Sequence, residues 1–312
     1  MLVEALCAVE LLEGLALEAE AVAGAIGAAW RRARGAREWR SASQVREHYT
    51  IERELAERLR TAPAEQRAAL YGEVYDELFR RVRHHPQLTA SRGERRAERE
   101  RSVAYQWALL RRFLAPGHAF AEIGAGDCAL ALRAAQVARR VFAVDVSEQL
   151  TRIARRPANL EVRLTRGAAV PVETGAVEVA FSNQLMEHLH PEDAAEQLRE
   201  IHRSLAAGGV YVCITPNRLS GPHDVSRHFD ERATGLHLRE YSAGELRALM
   251  REAGFREVRF FAGARGRYVR VPYAVLALAE SVLEALPARL RKAIAGSAPA
   301  RALLGLRVAA VK

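Results

Sequence analysis

Glu122-Ile123-Gly124-Ala125-Gly126-Asp127-Cys128, followed by an apolar-rich segment and then Val141-Phe142-Ala143-Val144-Asp145, decides the reading of this chain. The order is strand, glycine turn, helix, and a second strand ending in an acid. Gly124 and Gly126 let the backbone turn tightly and approach a ligand with no Cβ in the way. The following helix offers unpaired N–H groups at its start. Asp145 falls where a carboxylate can take both hydroxyls of a ribose. The stretch therefore predicts an α/β domain with a pocket for an adenosine-containing cofactor.

Further segments follow in order: F-S-N-Q-L-M-E-H-L at 181–189, L-A-A-G-G-V-Y-V at 205–212 and a terminal G-L-R-V-A-A-V-K. With E-I-G-A-G-D and V-D-V-S at 144–147, this set resembles the class I S-adenosylmethionine (SAM)-dependent methyltransferases of the type 11/type 23 kind, over about residues 100–312. The resemblance implies a Rossmann-like seven-stranded sheet whose last strand is antiparallel and inserted beside the sixth. It also implies SAM as cofactor. Glu122 would hold the methionine ammonium, and the backbone of Gly124, Ala125 and Gly126 would contact the methionine and ribose parts. Asp145 would take the ribose hydroxyls, Val146 would stack near adenine, and Asn183 would face the methionine end. Ala168 stands where the family commonly has an aspartate for the adenine amino group, so adenine must be held by backbone or another side chain. Ala207 replaces a common proline and affects only a turn.

Two other classes compete. Gly124 to Ala129 also satisfies G-x-G-x-x-A, the fingerprint of a nicotinamide or flavin Rossmann oxidoreductase. The charged Asp127 in that turn and the later Glu187-His188 and Gly208-Gly209 argue against it. A non-catalytic methyltransferase-like scaffold draws its support from Ala168, and the intact Glu122, Gly124, Gly126 and Asp145 oppose it.

The 312 residues suffice for one large domain plus an extension. The net charge is +9, almost entirely from arginine; lysine occurs only at Lys292 and Lys312. A basic chain can meet nucleic acid or anionic lipid. Here, however, arginine alternates with glutamate, as at 92–101, which is the pattern of a solvated helix face. Cys7, Cys128 and Cys213 are far apart and odd in number, which predicts no disulfide framework and fits a reducing, cytoplasmic setting. Residues 1–29 are apolar but carry glutamates and no leading basic group, so they read as neither signal peptide nor membrane span.

The predicted organisation is a peripheral helical extension over 1–40, a helical cap over 41–115 and a SAM-binding core over 116–312. Cap helices are expected at about 43–60, 64–83 and 97–114, with breaks at Pro63 and Pro86. Core strands are expected near 119–123, 141–145, 160–164, 177–182, 209–214, 256–262 and 306–311. Helices are expected near 128–138, 147–155, 191–205 and 243–253. A helical insertion at about 272–304 carries Leu276, Leu278, Val282, Leu283, Leu286 and Leu290. It reads as a lid, a dimerisation element, ordinary sheet packing, or an amphipathic surface contacting a membrane peripherally with Arg289, Arg291 and Lys292. No oligomeric state is legible.

Methyl transfer from SAM is an in-line displacement that needs alignment more than a triad. A base is needed only for a weakly acidic hydroxyl. His188, beside the reaction centre by resemblance, and His223 are the candidate catalytic groups. The polar loop 215–230 offers Asn217, Arg218 and His228 as acceptor contacts, and Tyr241 resembles a position that closes the loop. His223, Asp224 and His228, with His237 nearby, have ligand-type side chains, but spacing alone assigns no metal. The polar loop points to a small-molecule or glycan acceptor, as in an O-methylation. Few aromatics lie around the presumed site, so no nucleic-acid partner is expected.

Overall fold

The computed structural model describes residues 38–89, 94–148, 151, 153 and 155–312. The 1–40 extension, including Cys7, therefore lies almost wholly outside the described residues.

β1 (Ala119–Ile123), β2 (Arg140–Asp145), β3 (Leu160–Leu164), β4 (Val177–Asn183), β5 (Leu205–Thr215), β6 (Glu257–Ala264), β7 (Arg267–Val271) and β8 (Leu306–Val311) form one sheet in the order β3-β2-β1-β4-β5-β8-β6-β7. β1 through β5 pair in parallel. β8 is antiparallel to both β5 and β6, in the slot expected for the last strand. The sheet has eight strands where seven were expected. The additional β7 folds back on β6 through Arg265-Gly266, both at positive φ, the geometry of a tight two-residue hairpin.

Every residue of β1 is buried, as expected of a parallel strand covered on both faces. Alternate side chains enter two apolar clusters. Ala119, Ala121, Ile123, Phe142 and Val144 face one side; Phe120, Val141 and Ala143 face the other. The first side is covered by α1 (Ala42–Thr61), α2 (Ala64–Arg81), α5 (Pro191–Ser204) and α6 (Ala243–Glu252), through residues such as Leu55, Leu78, Leu198 and Leu246. The second is covered by α3 (Glu94–Leu110) and α4 (Ala129–Ala134), through Leu109, Leu110 and Leu130. Segment 41–115 is thus divided between the two faces of the sheet.

No helix is assigned at 147–155, where one was expected; residues 149, 150, 152 and 154 of that stretch lie outside the described residues. The insertion is three short helices, α7 (Tyr273–Glu284), α8 (Ala288–Ala295) and α9 (Ala298–Leu304). Pro287 and Pro299 set the breaks, because proline is tolerated only at a helix start. α7 buries Leu276 and Leu283 and leaves Val275, Leu278 and Val282 exposed. Among the described residues no helix is long and apolar enough to cross a membrane.

Candidate functional site

A cavity of about 420 Å³ opens at the carboxyl ends of β1, β2 and β4. Open parallel sheets take ligands at this edge. Glu122, Gly124, Ala125, Gly126, Asp145, Val146, Asn183 and His188 all line it. Ala168 does not; its neighbours Gly167 and Thr165 do. The sequence reading missed the residues supplied by helices: Tyr71 and Tyr75 from α2, and Arg99, Ser102, Val103 and Gln106 from α3. Two tyrosines therefore stand where few aromatics were expected. The spacing of Tyr71 and Tyr75, one helical turn apart on one face, was the available signal.

Asp145 organises the glycine turn. Its Oδ2 accepts the Gly126 N–H at 2.7 Å and its Oδ1 accepts the Ser147 N–H at 2.9 Å. Gly124 and Ala125 N–H both reach the Val144 carbonyl, at 2.8 and 3.1 Å. Burial raises the Asp145 pKa, opposed by these backbone donors. Each carboxylate oxygen keeps a lone pair for a ligand hydroxyl. Asp127 in the same turn takes a hydrogen bond from the Arg99 guanidinium, so α3 is fastened to the turn.

Glu122 is buried, and its Oε2 has no hydrogen-bond partner within the protein. Burial holds its carboxyl well above the usual carboxylate range. Such an orphan acceptor is costly unless a ligand satisfies it, and a cation is the group that would ionise it.

α2 is locked over the cavity by a buried ion pair. Arg67 makes two hydrogen bonds to Asp193 on α5, at 2.8 and 2.9 Å, and Tyr71 donates its hydroxyl to Asp193 at 2.6 Å. The Tyr71 oxygen in turn accepts the His190 N–H at 2.8 Å.

The segment after β4 brings Glu187 and His188 together with His237 from the polar loop. His188 Nδ1–H donates to the Leu236 carbonyl at 3.0 Å, and its pKa is pushed down to about 3 by burial and by His237. Glu187 is fully buried; Thr215 donates to its Oε2 at 2.9 Å, and burial pushes its pKa up to about 7. His237 Nδ1–H donates to Glu240 at 2.8 Å, which with neighbouring carboxylates raises its pKa against burial. The loop that carries His237 is pinned on α1: Leu236 N–H donates to Glu52 at 3.3 Å and Tyr49 donates to Asp230 at 2.8 Å.

The other expected contacts stand apart from the main cavity. Asn217 is buried and spends its side chain on Glu280, the Leu304 carbonyl and the Leu219 N–H. Arg218 pairs with Glu245 and Glu284 on the surface. His228 lies 3.6 Å from Glu38. Tyr241 is buried and bridges to Asn217, tying the ends of the loop. His223 Nε2 is engaged by Ser220 and the Asn217 carbonyl. His223 and Asn217 instead line a second cavity of about 200 Å³ with Arg301 and Arg307; Gln184 lines both cavities. His223, Asp224 and His228 do not converge: Asp224 accepts N–H groups from Ser226, Gly235 and His237. Cys128 and Cys213 are buried and unpaired, and burial pushes both thiols up to about 12.

Residues 120–209 match the family model described as a methyltransferase domain. A probable S-adenosylmethionine-dependent methyltransferase of Mycolicibacterium smegmatis is 33% identical over 158 residues, 50% of this chain and 58% of that protein. One of Mycobacterium tuberculosis is 35% identical over 138 residues, 44% of this chain and 48% of that protein. The chain thus matches about half the length of these curated relatives. A putative methyltransferase solved with the Haloferax volcanii Trm112 activator is similar at 20% identity and a TM-score of 0.49, over 69% of this chain and 90% of that one.

Proposed function

As a member of the class I SAM-dependent methyltransferases, this chain, we propose, moves the sulfonium methyl of SAM to a polar small-molecule or glycan acceptor, as an O-methylation in the cytoplasm. The observation that carries the reading is the buried Glu122, with its Oε2 unpartnered, among the residues that line the same cavity as Asp145. One end of that cavity suits an ammonium and the other a ribose diol. Tyr71, Tyr75 and Leu185 provide apolar walls that exclude water.

SAM already carries the activated methyl, so the residues have only to bind and align it. Glu122 holds the ammonium, Asp145 and the Gly126 turn hold the ribose, and Val146 lies against the base. With no acid at Ala168, adenine rests on backbone and on Thr165 and Gly167 at the rim. His188 presents a neutral imidazole to an acceptor hydroxyl; its low pKa makes it a hydrogen-bond acceptor rather than a strong base. The second cavity adjoining Gln184 supplies room for the acceptor body, with His223 and Asn217 on its wall. The exposed Val275, Leu278 and Val282 on α7, followed in sequence by Arg289, Arg291 and Lys292 on α8, support a peripheral membrane contact. Sedimentation with anionic vesicles, lost in Leu278→Glu, tests it.

Isothermal titration with SAM, S-adenosylhomocysteine and NAD tests the main reading. Both sulfur cofactors are expected to bind and NAD to be silent. Binding of NAD alone would overturn it.

A further inference from the structure

Two groups of buried histidine and carboxylate side chains have metal-ligand spacing among the described residues, and they differ in one decisive respect. In the first, His48, Glu52 and His85, the lone pairs are consumed. Arg40 donates to His48 Nδ1, which places the His48 proton on Nε2, where it bonds Glu52 at 2.8 Å. The Gln87 N–H donates to His85 Nδ1, which directs the His85 Nε2 proton toward Glu52 at 4.0 Å. That group is a closed hydrogen-bond cluster with nothing left to offer a cation.

The second group, Glu187, His188 and His237, is the opposite case. Its ligand atoms lie within 4.8 Å of one another, and the two rings meet edge to face with centroids 4.7 Å apart. Both Nδ1 protons are spent on acceptors outside the group, the Leu236 carbonyl and the Glu240 carboxylate. In the neutral ring each Nε2 is then the nitrogen left to bind a cation, which takes the place of the proton on His237. The third member, Glu187 Oε1, is fully buried and has no partner, while its Oε2 is held by Thr215. Glu187 Oε1 thus lies beside two imidazoles with no hydrogen-bond partner of its own. An arrangement in which each imidazole gives its far N–H to a carbonyl or carboxylate, which fixes the tautomer and ring plane, is how proteins prepare histidines for a metal.

The geometry points to a divalent-cation site formed by Glu187 Oε1, His188 Nε2 and His237 Nε2, opening onto the cofactor cavity through His188. Two imidazoles and one carboxylate suit a first-row transition cation such as Zn²⁺, Mn²⁺ or Co²⁺ over Mg²⁺ or Ca²⁺, which prefer all-oxygen sets. Ligands about 2.1 Å from a zinc ion stand roughly 3.4 Å apart, so side-chain adjustments on the order of 1 Å close the set. Three protein ligands leave positions open for an acceptor oxygen. The sequence reading assigned no metal, because Glu187, His188 and His237 are separated by a loop whose path is set by α1.

The consequence for chemistry rests on the methyl-transfer reading above. With His188 Nε2 on the cation, the cation takes over the acceptor hydroxyl from the imidazole, and the hydroxyl loses its proton to solvent more readily. The resulting oxygen attacks the methyl carbon, its O–C bond forming as the C–S bond breaks. The products are the methyl ether, S-adenosylhomocysteine and one proton.

The test uses the full chain stripped with EDTA, desalted, and titrated with MnCl₂ and with CoCl₂, followed by calorimetry and the cobalt d–d spectrum. One cation per chain is expected, with a spectrum of nitrogen-and-oxygen ligation. His237→Ala, or Glu187→Gln if the first variant melts early, should weaken binding by at least about 100-fold. His202→Gln, on α5 where the ring packs half-buried against Phe255 and outside the group, should leave it unchanged. Absence of a stoichiometric site, or binding indifferent to both ligand variants, would overturn the proposal. SAM titration of the same samples separates the two readings: cofactor binding without cation binding sinks only the metal site, and cation binding without cofactor binding sinks only the methyl-transfer reading.

Discussion

The carboxylate of Asp145 reaches back to the backbone N–H of Gly126, 19 residues earlier in the chain, at 2.7 Å. The same side chain that would hold the ribose therefore also holds the glycine turn in shape. Asp145→Ala should cost about 1–3 kcal/mol of stability, because the buried Ser147 N–H and the half-buried Gly126 N–H lose their acceptor. It should also weaken SAM binding by at least about tenfold. Asp145→Asn keeps one acceptor oxygen and should fall between. Thermal melts and cofactor titrations of the two variants check the order.

Glu122 should make cofactor binding proton-linked. Its carboxyl is held above its ordinary value of 4.5 by burial, so it stays protonated into the window above that value. An ammonium beside Oε2 favours the ionised form, so SAM binding should release a proton there. Titration in two buffers of different ionisation enthalpy should show the release, and Glu122→Gln should abolish it. The sign for folding follows: the group's contribution to stability is fully present below pH 4.5 and is lost as pH rises through its elevated folded pKa. Glu122→Gln should flatten that part of the pH–stability curve.

The Arg67–Asp193 pair should be costly to break and easy to misjudge. Both side chains are buried, at 4% and 9% exposure. Arg67→Met leaves Asp193 charged without its partner and should destabilise by about 3–5 kcal/mol. The Tyr71–Asp193 hydrogen bond remains, but α2 loses its guanidinium clamp to α5, so SAM affinity should fall as well. Denaturant titration of the variant, with calorimetry below its midpoint, reads both effects.

Two glycines at positive φ should respond differently to alanine. At Gly126 a Cβ meets nothing within 4 Å, so the penalty is left-handed backbone strain, about 1–2 kcal/mol. At Gly167 a Cβ would lie 2.9 Å from the Ala68 Cα on α2, so the loop after β3 must also move away from the helix. Gly167→Ala should therefore lower the melting temperature more than Gly126→Ala, measured side by side.

The sheet was legible because its strands are short apolar runs bounded by glycine and acid, and that pattern survives without knowledge of neighbours. β7 was not, since R-Y-V-R-V carries charge at the sheet edge, where exposed arginines protect against pairing with another chain. The lining of the main cavity could be read where its residues follow one another along β1, β2 and β4. The loop residues could not. Asn217 reads as a ligand contact by composition but is consumed by Glu280 and Leu304, which are close only after α7 and α9 have packed. His237 acquires its place from Glu52 and Leu236, a contact spanning 184 residues.

The position of β8 between β5 and β6 has a consequence for how the chain assembles during synthesis. The β6–β7 hairpin emerges before the strand that joins it to the rest of the sheet. At ribosomal speed, the residues from 271 to 306 take on the order of seconds to follow. Through that interval the edge of β5, with Tyr211, Val212 and Cys213, has no partner on that side, and the hairpin has nowhere to dock. The sheet is completed by filling a gap rather than by adding to a rim. The nascent chain therefore passes through a state whose open, apolar edge can recruit a chaperone or a neighbouring nascent copy.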